Sequence, residues 1–318
     1  MKCFVTGGAG FIGSNMVDRL ISEGHKVTVY DNFSSGAEKF ISSHAQNPDF
    51  RAVRADLLDA GTLSRAMKGH DVVFHFAANP DIISGLSNTD LDFKNGTVAT
   101  FNVLESMRKN QVSSIAFSSS GTVYGYTDKQ KVGEDYGPVL PVSLYGANKV
   151  AAEALVSGFS NIFGFKAYIF RFANIVGKRQ NHGVVYDFIM KLKKNPKELL
   201  ILGDGRQTKH YVLVDELVDA MLFAMEKSKE KLSYYNISND SAIDVNKIAG
   251  MVTGEMGLKN VRFRYTGGSQ GWKGDVPISL LSPEKINRLG WRAKHDSAGA
   301  VRITIKTLLK EMGYKQPK

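Results

Sequence analysis

Two kinds of apolar run alternate along the first half of this chain. Short, mostly apolar stretches at residues 3–5, 26–30, 71–76 and 114–118, with a less apolar one at 51–54, are bounded by glycine or polar residues and read as strands. Between them the apolar positions fall at helical spacing. Met16, Val17, Leu20 and Ile21 precede a stop at Gly24; 62–67 is a short helix; Val98, Phe101, Val103 and Leu104 give 97–108 a broad apolar face. Such alternation predicts an α/β fold on a doubly wound parallel sheet, with ligands beyond the carboxyl ends of its strands. His75, inside the apolar run 71–76, reads as a core histidine rather than a ligand.

The second half is less regular. A strand at 167–170 follows the helix opened by Tyr145, and from about Ile175 the pattern loosens through Gly177, Gly183, Pro196 and Gly203. Residues 209–214, the helix 215–227 and the strand 234–237 read as a return to the sheet. The expected division is a dinucleotide-binding domain, 1–174 with 209–238, and a smaller mixed α/β substrate domain, 175–208 with 239–318.

Composition narrows the function. A chain of 318 residues, 43% hydrophobic, can bury a large core. No run approaches the roughly 18 apolar residues of a membrane span, and the opening stretch lacks the form of a signal peptide. The single cysteine, Cys3, excludes an intrachain disulfide and leaves no metal cluster, which suits a reducing, cytoplasmic setting. The net charge of +10 raises nucleic acid as a partner, but the basic residues are scattered in short groups rather than gathered into one arm or recognition helix. Neither nucleic acid nor a membrane is expected as a partner. The same positive field favours a small anionic substrate.

Candidate chemistry begins at Thr6-Gly7-Gly8-Ala9-Gly10-Phe11-Ile12-Gly13, between the first strand and the first helix. Gly7 would turn the chain, Gly10 would let the backbone approach a pyrophosphate, and Gly13 would let helix and strand pack closely, as in a Rossmann-type unit. The phosphates would lie at the positive end of the helix dipole. Asp31, just past the second strand, is placed to bind ribose hydroxyls and to repel a 2′-phosphate, favouring NAD over NADP; a turn or cap residue is the alternative. Tyr145 and Lys149, four apart, share a helix face. A phenol working as a base near neutrality needs a pKa about three units below its usual ≈10. A cation at about 4 Å supplies most of that at an effective dielectric of ~20, so Lys149 is expected to lower Tyr145, helped by an oxidised nicotinamide.

Thr6 to Gly13, Asp31, Asp56-Leu57, His75-Phe76-Ala77-Ala78, Ser118 to Gly125, Tyr145-x-x-x-Lys149 and Arg171-Phe172-Ala173-Asn174, in this order, resemble the extended short-chain dehydrogenase/reductases. Within them the chain is similar to the NAD-dependent nucleotide-sugar epimerase/dehydratase family, especially UDP-glucose 4-epimerases, over nearly its whole length. The resemblance implies an isomerase with tightly held NAD and a nucleotide-diphosphate sugar, most readily a UDP-sugar, as substrate. It implies catalysis by Ser120, Tyr145 and Lys149. The cofactor would be held by Gly7, Gly10, Phe11, Ile12, Gly13, Asp31, Asn32, Ser35, Asp56, Leu57, Phe76, Ala77, Ala78, Asn95 and Ser118, together with Tyr145 and Lys149. Substrate would meet Ser120, Thr122, Asn174, Arg179, Lys209, Trp272, Asp275 and Ser279. A homodimer is implied too, through Val98, Phe101 and Leu104 with Val150, Leu155 and Phe159.

Departures from the family pattern carry information. Sugar dehydratases place an Asp-Glu pair after the active-site hydroxyl residue, where this chain has Gly121-Thr122, so dehydration is not expected. Lys209 and Trp272 stand where many 4-epimerases have arginines on the diphosphate; lysine lacks the guanidinium fork and tryptophan the charge. Arg206, Arg179 and Lys273 are candidates to supply it. Ser279, small, would leave room for a C2 acetamido group. Arg179 and His182 would be the carboxylate partners of a uronate. A nucleotide-sugar reductase or dehydrogenase, and a non-catalytic dinucleotide sensor, are the alternatives.

Overall fold

The computed structural model describes residues 1–81 and 83–316. Strands β1 (Lys2–Thr6), β2 (Lys26–Asp31), β3 (Phe50–Arg54), β4 (Val72–His75) and β5 (Ser114–Ser120) stand in the order β5-β4-β1-β2-β3, each neighbouring pair parallel. The strand Lys166–Phe172 lies beside β5, and Leu232–Ile237 lies beyond it. Sequence order reverses on either side of β1, so this is the parallel sheet that the alternating pattern predicts. Helices α1 (Phe11–Ser22), α2 (Ala60–Met67), α3 (Ala99–Asn110) and α4 (Leu144–Phe163) connect its strands. One layer of the core joins Phe4, Val73, Ile115 and Phe117 of the sheet to Leu63, Met67, Val103, Leu104 and Met107 of α2 and α3.

Two element ends differ from expectation in ways that matter. β5 continues to Ser120, because its serines are small enough to stay in a buried strand, and this puts Ser120 at the strand's carboxyl end. The helix expected over 97–108 is α3, and a π-helical turn, Phe93–Val98, runs into its start. A single π-helical turn carries an extra residue within a helix and is common at functional sites.

The chain separates into two compact units, the first comprising Met1–Tyr124, Pro138–Arg171 and Met221–Tyr235, the second Gly125–Gly137, Phe172–Ala220 and Asn236–Lys318. In the second, helices Val184–Lys194, Val245–Glu255 and Ser297–Glu311 bury Val185, Phe188, Ile248, Val252, Ile305 and Leu308 together. Short strands Ile243–Asp244, Thr208–Lys209, Ile278–Leu281 and Lys131–Val132 form its small sheet in that order. Among the described residues no helix is long and apolar enough to cross a membrane, and no group of three His, Cys, Asp or Glu side chains could hold a metal.

His75 is fully buried, its Nδ1 2.7 Å from Thr6 Oγ1 and its Nε2 3.0 Å from Thr100 Oγ1. Thr100 gives its own proton to Gly96 O, so Nε2 donates to Thr100 and Nδ1 accepts from Thr6: a neutral imidazole. Burial, then the nearby Lys149 charge, pushes its pKa down from 6.5 to about 3. A group depressed in the folded state contributes stability above its unfolded pKa, and that contribution is lost as pH falls from about 6.5 toward about 3. The unfolding free energy from urea titrations should therefore fall between pH 7 and pH 5, by roughly 2 kcal/mol from His75 alone, with the midpoint falling alongside it. Equal midpoints at the two pH values would contradict the buried neutral ring.

Candidate active site

The glycine turn follows from the sequence at atomic scale. Gly7 has φ +66°, and a Cβ there would sit 2.8 Å from Ala77 N. A Cβ on Gly13 would meet Gly7 O at 2.1 Å, and one on Gly10 the same oxygen at 3.2 Å. The turn is thus pressed against β4's exit and against α1, with backbone where side chains would otherwise stand. Gly10 is the N-cap of α1 and offers no capping side chain, and the first turn carries no acidic residue. Phe11 and Ile12 lie in that first turn, which leaves backbone dipoles rather than side chains facing an anion.

Around the turn, Asp31 is buried, its Oδ2 accepting from Ala9 N at 2.9 Å and its Oδ1 from Phe33 N at 2.8 Å. Burial raises its pKa, while the Phe33 and Ala9 amides pull it back. Each oxygen keeps acceptor capacity for a hydroxyl. Asn32 Nδ2 donates to Asp56 Oδ2 at 2.9 Å, and Leu57, buried, takes Asn102 Nδ2 on its carbonyl. Ser35 is exposed in the loop between, while Phe76, Ala77 and Ala78 are half-buried past β4. Asn95 lies in the π-helical turn. The cradle and the carboxylate fit a dinucleotide.

Ser120, Tyr145 and Lys149 come together. The Ser120 hydroxyl stands close enough to the Tyr145 phenol to pull its pKa down, and it accepts Thr122 N at 3.2 Å. α4 opens where Ser143 Oγ caps Gly146 N at 3.1 Å, which puts Tyr145 in the first turn and Lys149 one turn later. Lys149 is 5% exposed; its ammonium lies 5.6 Å from the Tyr145 ring centroid and donates to Ser118 O at 2.6 Å. Ser118 Oγ in turn donates to His75 O at 2.9 Å.

The electrostatics depart from the sequence expectation. Burial pushes the Tyr145 phenol up to about 12, against the hydrogen bond from Ser120 and with help from the Asp92 charge. Burial likewise pushes Lys149 down to about 8, opposed by Glu153 and then Asp92. Lys149 faces the ring and the Ser118 carbonyl, so in the protein alone the cost of burying the phenolate outweighs its attraction.

A supporting network escaped the sequence reading. Glu153 takes Arg171 on both carboxylate oxygens, at 3.0 and 2.7 Å, and Ser119 Oγ at 2.5 Å; Arg171 also reaches Tyr124 OH at 2.9 Å. This ties the end of β5, residue by residue, to the helix that carries Tyr145. Glu153 lies four residues after Lys149, so helical spacing alone places it on the same face.

Apart from Ser120 and Thr122, which lie in the first unit, the substrate candidates belong to the second. Lys209 Nζ pairs with buried Asp275 at 2.7 Å and stands 5.3 Å from the Trp272 ring centroid. Its charge is therefore already matched. Trp272 Nε1 is buried with no hydrogen-bond partner. Asn174 Nδ2 donates to His210 O at 3.3 Å, and Ser279 is the strand partner of Lys209. Arg179 has φ +66° and its amide on the Glu311 carboxylate. Of the charges named to replace an arginine clamp, Arg206 lines a groove of about 440 Å³ with Lys129, Tyr126, Asp204, Gln270 and Ile278.

A sequence model described as the NAD dependent epimerase/dehydratase family matches residues 3–238. The chain is 33% identical over 307 residues to a putative UDP-glucose 4-epimerase of Methanocaldococcus jannaschii, covering 95% of this chain and 96% of that protein. Among solved structures, a UDP-galactose 4-epimerase is 40% identical with a TM-score of 0.88, covering 98% of this chain and all of that one. The UDP-glucose 4-epimerase of Thermotoga maritima, solved with UDP-glucose, is 32% identical with a TM-score of 0.87, again over 98% and 100%.

Proposed function

The chain belongs to the NAD-dependent epimerase/dehydratase family, and we propose that within it the protein is a nucleotide-sugar 4-epimerase acting on UDP-hexoses. The observation that carries this reading is the assembled trio: Ser120 at the carboxyl end of β5 beside the Tyr145 phenol, with the Lys149 ammonium 5.6 Å from the ring centroid. Gly121-Thr122 after Ser120 leaves the site without the acid and base of a dehydratase. Relatives that act on UDP-glucose or UDP-galactose support the substrate class.

NAD, the family's cofactor, supplies a hydride acceptor and donor when bound. Gly7, Gly10 and Gly13 would hold its pyrophosphate over the start of α1, and Asp31 its ribose. The remaining work falls to this chain's own groups. Tyr145 takes the proton of the sugar 4-hydroxyl and returns it after the sugar has turned over. Ser120 shares that proton and fixes the oxygen's position. Lys149 holds a positive charge beside the phenolate that forms, and the neutral serine loop keeps water from competing. Arg206 would contribute a charge for the diphosphate, since Lys209 is paired with Asp275.

Incubation with UDP-glucose should give its 4-epimer with no net reduced nicotinamide; steady accumulation of NADH would make the protein a dehydrogenase. UDP-N-acetylglucosamine should turn over as well, because Ser279 is small. Turnover of UDP-glucuronate alone would move attention to Arg179 and His182.

We also propose a homodimer through α3 and α4. Phe101 is 45% exposed although it meets Phe159 edge-on at 6.0 Å, and Ile162 and Phe163 add exposed apolar surface on the end of α4. Leu104 is fully buried in its own core and contributes nothing to that face. Sedimentation at micromolar concentration should give a dimer, and Phe101→Glu a monomer; a wild-type monomer would remove the proposal.

A further inference from the structure

One buried carboxylate near the trio has no part in the chemistry above. Asp92, 2% exposed, receives Asn79 Nδ2 on Oδ1 at 3.0 Å, while its Oδ2 is buried without a hydrogen-bond partner. The two residues line one small cavity together with Gly96, Tyr145, Asn148 and Lys149. That cavity, about 10 Å³, is of the size that holds one water, and its walls offer polar partners for it. Gly85 makes room on the other side: a Cβ there would stand 2.6 Å from Asp92 Oδ2. The π-helical turn follows Asp92 directly and brings Gly96 against Asn148, where a Cβ would stand at 3.1 Å.

We propose that Asp92 is a positioning residue for the Tyr145–Lys149 pair, joined to the Lys149 ammonium by one water held in the cavity they share. This rests on the trio's being the catalytic site. An uncompensated buried ammonium tends to lose its proton, and a neutral Lys149 could not support a phenolate. Asp92 acts in the same direction on both groups: its charge keeps Lys149 protonated and keeps Tyr145 carrying its proton until substrate arrives. The other charges facing these groups are Glu153, one turn along α4 from Lys149, and Asp81, which adds to burial in raising Asp92; His75 is neutral.

The test follows Lys149 itself, by NMR of the NAD-bound protein carrying [13Cε]lysine, with Lys149→Met to assign the signal. In Asp92→Asn the Lys149 titration should lie about one unit below wild type, and in Asp92→Glu close to wild type. The alkaline limb of kcat/KM for the nucleotide sugar should move by the same amount. Should Asp92→Asn fail to fold, Gly85→Ala, which displaces the carboxylate by steric overlap, should lower the titration in the same direction. A Lys149 titration unmoved in a folded variant would overturn the proposal, even if activity fell, since a purely structural role predicts that pattern. The NMR readout needs no turnover, so it decides the role of Asp92 even if the protein proves not to be an epimerase.

Discussion

Tyr145→Phe should lower kcat about a thousandfold, the middle of the range for losing a positioned proton donor and acceptor, while the protein stays folded and keeps its NAD. The ring fills the same buried space, the cation–π contact with Lys149 persists, and only the hydroxyl beside Ser120 is removed. No neighbour can take its place. Lys149 is committed to the Ser118 carbonyl at 2.6 Å; His75 is sealed between two threonines with both ring nitrogens engaged; Asp92 is on the cavity side and tied to Asn79. Because the phenol is pushed up to about 12 by burial, the base cannot preexist as a phenolate in the protein alone. In the proposed mechanism, the positive charge that bound oxidised NAD would supply completes the shift that Lys149 does not. Activity and phenol ionisation should accordingly appear only in NAD-loaded protein. Retained turnover in Tyr145→Phe would refute the proton-transfer role, and loss of bound NAD in that variant would make the drop uninformative about chemistry. For that reason cofactor occupancy must be measured alongside kcat.

The fold could be read from the sequence because its signals are local. Gly7, Gly10 and Gly13 are identifiable from spacing, and each answers a close approach that a Cβ would block. The buried strands announce themselves by continuous apolar runs. Tyr145 and Lys149 share a face because helical geometry demands it. What stayed hidden depends on burial and on contacts distant in sequence. The direction of the Tyr145 shift is set by desolvation, which four-residue spacing does not report. Asp92 reaches the site through the π-helical turn, whose extra residue breaks the regular periodicity used to read helices. The pairing of Lys209 with Asp275 links residues 66 apart; sequence marks Lys209 as a departure but not as a charge already neutralised.

Gly13→Ala should be the most damaging single methyl group in the chain. Its Cβ would lie 2.1 Å from Gly7 O, 2.8 Å from Gly7 C and 2.8 Å from Gly8 Cα. All three are backbone atoms, so no side-chain rotation relieves the overlap. α1 must move away from the turn, or the turn must shift against Ala77, where a Cβ on Gly7 would stand only 2.8 Å from the backbone nitrogen. Overpacking of this kind costs about 1–3 kcal/mol when flexible side chains can yield, and the upper end or beyond is expected where only backbone can. The larger effect falls on the cofactor. Phosphate binding depends on aligned amides at the start of α1, and a helix displaced by about 1 Å no longer presents them to the same point. The purified variant should carry little or no NAD, require added cofactor for whatever turnover remains, and unfold at lower urea than wild type. Gly24→Ala makes the control: Gly24 has φ +77°, but nothing lies within 4 Å of its Cβ position, so it should lose modest stability through backbone strain and keep its NAD. Equal cofactor content in the two variants would mean that the close packing at Gly13 does not govern the dinucleotide site.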